Sequence, residues 1–120
     1  MLRAMCGRFS LTISDIAALA REWGAEVDAA LLAAWRPRFN VAPGQPAPLL
    51  RGPAGRRRLV AATFGLPSPR GGLLPNARAE TAGEKRTFRD ALAGGRAALP
   101  IDGFYEWEGP PSAREPSWFH

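Results

Sequence analysis

A chain of 120 residues, 46% of them hydrophobic, fits one domain and is too apolar for compositional disorder; its single cysteine excludes an internal disulfide and a cysteine-built metal cluster. The net charge is +5, and fifteen of the sixteen basic residues are arginine, whose planar fork suits phosphate, so a polyanionic partner is admitted although coding bias in a GC-rich genome accounts for the same count. No apolar run spans a bilayer and no apolar stretch follows Arg3 as in a signal peptide, so no membrane partner is expected, and the lone cysteine suits a reducing cytoplasm.

Twelve prolines and thirteen glycines point to short elements joined by turns. Cys6–Leu11 reads as a strand. Ser14 and Asp15 can open a helix in which Ile16, Leu19, Ala20 and Trp23 form one apolar stripe, stopped at Gly24. Ala29–Trp35 is a second short helix ended by Pro37. Phe39–Gln45 reads as a loop. Ala47–Arg51 and Arg57–Phe64 read as strands joined by a turn at Gly52–Gly55, with Arg56, Arg57 and Arg58 as a solvated hairpin end. Leu66–Pro75 reads as a loop. Thr81 and Glu84 have capping-box spacing ahead of a helix over about Lys85–Ala93. Arg96–Ile101 and Gly103–Glu108 read as strands, Pro110 and Pro111 mark a turn, and Ser117–His120 begins another strand that stops without a cap, as a truncated chain would. The class is α+β with mostly antiparallel strands.

Cys6 follows Met5, and this position gives the thiol a second use. A lone cysteine is ordinarily a small buried hydrophobe. If residues 1–5 are an extension or initiator segment that is removed, Cys6 carries a free α-amine beside its thiol. Such an aminothiol condenses with an aldehyde: the amine forms an imine and the thiol closes a five-membered thiazolidine. An α-amine titrates near pH 8, so a useful fraction is neutral at physiological pH. Arg8 lies two residues on and, in a strand, shares the face of Cys6. Asn76 and Arg78 would likewise share a face in an extended segment. Phe104 and Glu106 share a face of an alternating strand, and a carboxylate among apolar groups tends to a raised pKa suited to proton transfer. Each of these side chains has a plainer role available: surface charge, loop hydrogen bond, or edge-strand ion pair.

Four segments, Met5-Cys6-Gly7-Arg8-Phe9, Phe39-Asn40-Val41-Ala42-Pro43-Gly44, Asn76-Ala77-Arg78-Ala79-Glu80-Thr81 and Asp102-Gly103-Phe104-Tyr105-Glu106-Trp107, resemble in this order the SRAP family (SOS response-associated peptidase, abasic site processing proteins). The resemblance covers the N-terminal part of a single domain, residues 6–120. It implies an α+β fold of mostly antiparallel strands in a partly open, barrel-like sheet with short flanking helices. It implies a monomeric, cytoplasmic DNA-damage protein, nucleoid-associated when bound to DNA, that needs no cofactor or metal and crosslinks to abasic sites in single-stranded DNA. Cys6 is then the nucleophile, Asn76 positions the sugar or the amine, and Glu106 moves protons. Arg8 and Arg78, with Arg86 beside them, hold the DNA backbone. The resemblance also implies peptidase-like removal of the protein's own N-terminus.

Three departures stand out. The family's catalytic histidine lies in a His-x-Arg-Met-Pro-like segment that this sequence lacks, and His120 stands in another context. Met1–Ala4 precede the family's expected start. Tryptophans expected near Phe64–Gly72 are absent, which leaves distortion of DNA in question. Three alternatives stay open: a non-catalytic single-stranded DNA-binding fragment, a non-functional truncated product, and an N-terminal-nucleophile amidase.

Overall fold

The computed structural model describes residues 6–120; the expected extension over residues 1–5 lies outside the described residues. In chain order the elements are β1 (Arg8–Leu11), α1 (Ile16–Glu22), β2 (Ala25–Val27), α2 (Ala29–Ala34), β3 (Arg38–Val41), β4 (Pro46–Arg51) and β5 (Arg57–Thr63). They continue with β6 (Leu66–Pro67), β7 (Leu73–Leu74), α3 (Ala79–Ala82), α4 (Arg86–Gly94), β8 (Gly103–Glu108) and β9 (Glu115–Phe119).

Local chemistry explains the helices. Asp15 caps α1 by accepting from the Ala18 amide at 2.9 Å, and Gly24, at a φ of 61°, takes the left-handed turn that ends it. The apolar stripe of α1 faces inward as its spacing requires: Ile16 and Ala20 are buried, and Leu19 packs beside them. Asp28 caps α2 through the amides of Ala30 and Leu31, and Trp35 closes it in extended backbone before Pro37. The Trp35 indole donates to the Ile13 carbonyl at 2.9 Å, so the polar edge of a buried ring is satisfied.

Two sheets and a small hairpin hold the strands. The first has the order β3-β1-β8-β9 and is antiparallel throughout. The second, β2-β5-β4, joins the β4–β5 hairpin to a parallel β2; β6 and β7 form a separate small hairpin. Among the described residues the strands do not close into a barrel. Leu11, Ile16, Ala20, Leu31, Trp35 and Leu59 form one core beneath α1 and α2. Phe9, Val41 and Ala47 form another with Phe64 and Phe104 against them, and the Phe9 and Phe64 rings meet edge to face at 5.2 Å. Burying each large apolar side chain contributes about 1.5–3 kcal/mol, so these clusters anchor β1 in the middle of its sheet.

Several expectations need correction. The first strand begins at Arg8, not Cys6. Phe39–Gln45 is not all loop, because Arg38–Val41 pairs with β1 as β3. Leu66–Pro75 contains the β6–β7 pair. Thr81 lies inside α3, and Lys85 precedes α4 with no side-chain cap, so the Thr81–Glu84 capping box is not formed. Arg96–Ile101 is not a strand: it makes one bridge, Ala98 with Leu50, where the two residues exchange both backbone hydrogen bonds. The final strand begins at Glu115, two residues before Ser117.

Candidate functional site

The site assembles at the open end of β1, where Cys6 and Gly7 lead into the strand. β8 is the neighbour there, with Arg8 opposite Tyr105 and Phe9 opposite Phe104. Continuing that register one residue sets Glu106 beside Gly7. Among the described residues, a side chain at Gly7 would meet nothing within 4 Å beyond its chain neighbours. Cys6 is half-buried, and its Sγ donates to the Arg8 carbonyl at 3.3 Å.

Asn76 reaches this point from the loop after β7. Its Nδ2 donates to the Cys6 carbonyl at 2.9 Å, across 70 residues of sequence. This bond does not engage the thiol and fixes the backbone that carries it. Glu106 is half-buried on β8, and its charge is felt at the thiol. Burial pushes the Cys6 thiol above its ordinary pKa, backbone hydrogen bonding at Arg8 and Tyr105 partly offsets this, and the Glu106 carboxylate adds to the rise. Burial therefore favours the protonated thiol, and the Glu106 carboxylate adds to that effect.

Arg8 is half-buried and points to the opposite face of β1 from Phe9, where its Nη1 donates to Asn40 Oδ1 at 3.3 Å. Cys6, Asn76, Glu106 and Arg8 are thus gathered at one end of one sheet. Arg78 and Arg86 are different. Arg78 precedes α3 and Arg86 opens α4; both are exposed, and neither side chain makes a hydrogen bond or ion pair among the described residues. No group of three or more His, Cys, Asp or Glu side chains able to hold a metal ion occurs among the described residues.

The sequence pattern left out a second polar group at the other end of β1 and β8. Asp102 accepts from Ser10 Oγ and Thr12 Oγ1, each at 2.7 Å, and also from the Thr12 amide. Desolvation pushes the Asp102 carboxyl up, but the bonds from Thr12 and Ser10 outweigh it and hold the carboxyl below the usual range. Trp118 on β9 lies over this group and donates from Nε1 to Ser10 Oγ at 3.1 Å, which seals the hydroxyl from water. Asp102-Gly103 reads as a turn in sequence. The spacing of Ser10 on β1 and Thr12 just past its end is the signal that pairs with it.

An antiparallel sheet with a cysteine leading into β1, an amide bonded to that cysteine's carbonyl and a carboxylate on the neighbouring strand define an α+β protein with a candidate site at the start of β1. The SOS response associated peptidase (SRAP) family model matches residues 5–120, and the chain belongs to that family. It is 35% identical over 111 residues to the abasic site processing protein YoqW of Bacillus subtilis (strain 168), covering 87% of this chain and 48% of that protein. It is 34% identical to YobE of the same organism, over 87% of this chain and 49% of that one. The chain thus spans about half the length of these relatives. A crystal structure of a Bacteroides thetaiotaomicron protein shares the fold with a TM-score of 0.76 at 20% identity, over 94% of this chain and 53% of that one. No helix among the described residues is long and apolar enough to cross a membrane.

Proposed function

We propose that this chain captures abasic sites in single-stranded DNA by forming a thiazolidine between Cys6 and the open-chain sugar aldehyde. Cys6 gains its α-amine first, either because the chain's own peptidase-like activity removes residues 1–5 or because translation starts at Met5 and that methionine is then cleaved. The amine adds to the aldehyde carbon and water leaves, giving an imine. The thiol sulfur then adds to the imine carbon, and the thiol proton ends on the nitrogen. One aldehyde and one aminothiol become one thiazolidine and one water. Glu106 relays the protons, Asn76 holds the Cys6 backbone against the sugar, and Arg8, Arg78 and Arg86 contact phosphate.

The observation that carries this reading is the convergence at Cys6 of Asn76, bonded to its carbonyl at 2.9 Å, and of β8, whose register with β1 sets Glu106 beside Gly7. Membership of a family with relatives named abasic site processing proteins supports the same substrate. The test is a crosslinking assay on single-stranded DNA carrying one abasic site, run with protein whose N-terminus has been read by mass spectrometry. A form beginning at Cys6 gives an adduct stable in a denaturing gel. Cys6→Ser loses the stable adduct, because an alcohol closes the ring less favourably. An adduct undiminished in Cys6→Ala would refute the mechanism, and a chain that binds the strand without any adduct would be a binding module instead.

A further inference from the structure

Beside Arg8 the ladder between β1 and β3 is irregular. Phe9 pairs with Val41 and Leu11 with Arg38, so Phe39 and Asn40 together stand opposite the single residue Ser10. This is a β-bulge, a feature that re-aims side chains on the bulged strand. Phe9 and Val41 both enter the buried cluster, which fixes that face of the sheet as the inner one. Asn40 emerges on the other face and meets the Arg8 guanidinium. The bulge is held from the far side of β1: Tyr105 Oη, from the residue paired with Arg8, donates to the Phe39 carbonyl at 2.7 Å. Three strands thus converge on one arginine.

We propose that Asn40 is a positioning residue that presents Arg8 to a DNA phosphate beside Cys6, and that Tyr105 keeps the bulge in place for it. This rests on the single-stranded DNA reading above. The residue type follows from electrostatics. Arginine has five N–H donors, and Asn40 occupies one through a neutral oxygen. Among the described residues the remaining edge makes no bond, so it can grip a phosphate with two parallel bonds while the full positive charge is retained. A carboxylate at position 40 would orient the guanidinium equally well but would neutralise it. An aliphatic side chain would leave the charge and lose the orientation. Asparagine is the side chain of this size that orients without discharging.

The experiment uses the full chain and unmodified oligothymidylate, so no adduct is needed, and reads affinity as a function of salt. Arg8→Ala lowers the salt slope by about 0.7, the value for one phosphate contact on a single strand. Asn40→Asp lowers the slope by the same amount, although it changes one side-chain atom at an exposed position. Asn40→Ala keeps the slope and weakens binding about three- to tenfold, as the loss of one orienting hydrogen bond does. Tyr105→Phe behaves like Asn40→Ala in a milder form. In the Arg8→Ala background, Asn40→Ala and Tyr105→Phe have no further effect on binding, which a merely structural role would not produce. An unchanged slope in Asn40→Asp, or equal losses with and without Arg8, overturns the inference while leaving the DNA-binding reading intact. Absence of oligothymidylate binding by the parent chain at low salt removes both.

Discussion

Gly103→Ala should destabilise the protein through one identifiable contact. Gly103 is buried at the start of β8, opposite Ser10. A Cβ built on it would lie 2.2 Å from Nε1 of Trp118 and 2.5 and 2.7 Å from Cε2 and Cζ2 of the same ring. No rotamer of alanine avoids this, so the indole must move. Trp118 is 46% exposed and can swing outward. In doing so it loses its 3.1 Å bond to Ser10 and its stacking on His120, where the ring centres are 4.5 Å apart. Overpacking of a tight site costs about 1–3 kcal/mol, and the freedom of the ring puts this case in the lower part, about 1–2 kcal/mol. For a domain of this size that is a fall in Tm of about 4–8 °C. Urea denaturation should show a lower midpoint at unchanged slope. The decisive arm is Trp118→Ala. With the indole gone, Gly103→Ala should be neutral or stabilise by up to about 1 kcal/mol, because alanine loses less backbone entropy than glycine in a strand. Equal destabilisation in both backgrounds would show that the indole contact is not the cause.

Four further outcomes follow from the same geometry. Glu106→Gln removes a negative charge from beside the thiol, so the Cys6 pKa should fall, and the pH profile of thiol alkylation should inflect at lower pH than in the parent. Phe9→Ala empties a 2%-exposed position against Phe64 and should cost about 3–5 kcal/mol in chemical denaturation. The Asp102 carboxyl is held below its unfolded pKa, so its contribution to stability is present above about pH 4 and is lost as pH falls through the folded value; Asp102→Asn should flatten the acid side of the stability curve. Asn76→Ala breaks the bond to the Cys6 carbonyl and should cost about 1 kcal/mol of stability while slowing adduct formation more than it weakens binding to intact strands, a split readable by gel assay and fluorescence anisotropy on the same oligonucleotide.

Elements whose causes are local were legible in the sequence. The stripe of Ile16, Leu19, Ala20 and Trp23 with its cap at Asp15 specifies α1 wherever it sits, and alternation plus Gly52 and Gly55, both at positive φ, specifies the β4–β5 hairpin. The residues of the candidate site were legible one motif at a time, as residue types suited to a chemistry. Their meeting was not. Asn76 reaches Cys6 across 70 residues and Asp102 reaches Ser10 across 92, and no local periodicity encodes such a pairing. For the same reason β3 was hidden in a stretch that reads as loop: its proline and glycine lie just beyond Val41, and its strand character comes from the ladder it shares with β1. Arg96–Ile101 has the composition of a strand but finds only the single bridge to Leu50, and without a neighbour an extended segment stays irregular. Side-chain pattern determined which face of each element is apolar; tertiary structure decided which edges were paired, because a strand is completed only by another strand's hydrogen bonds.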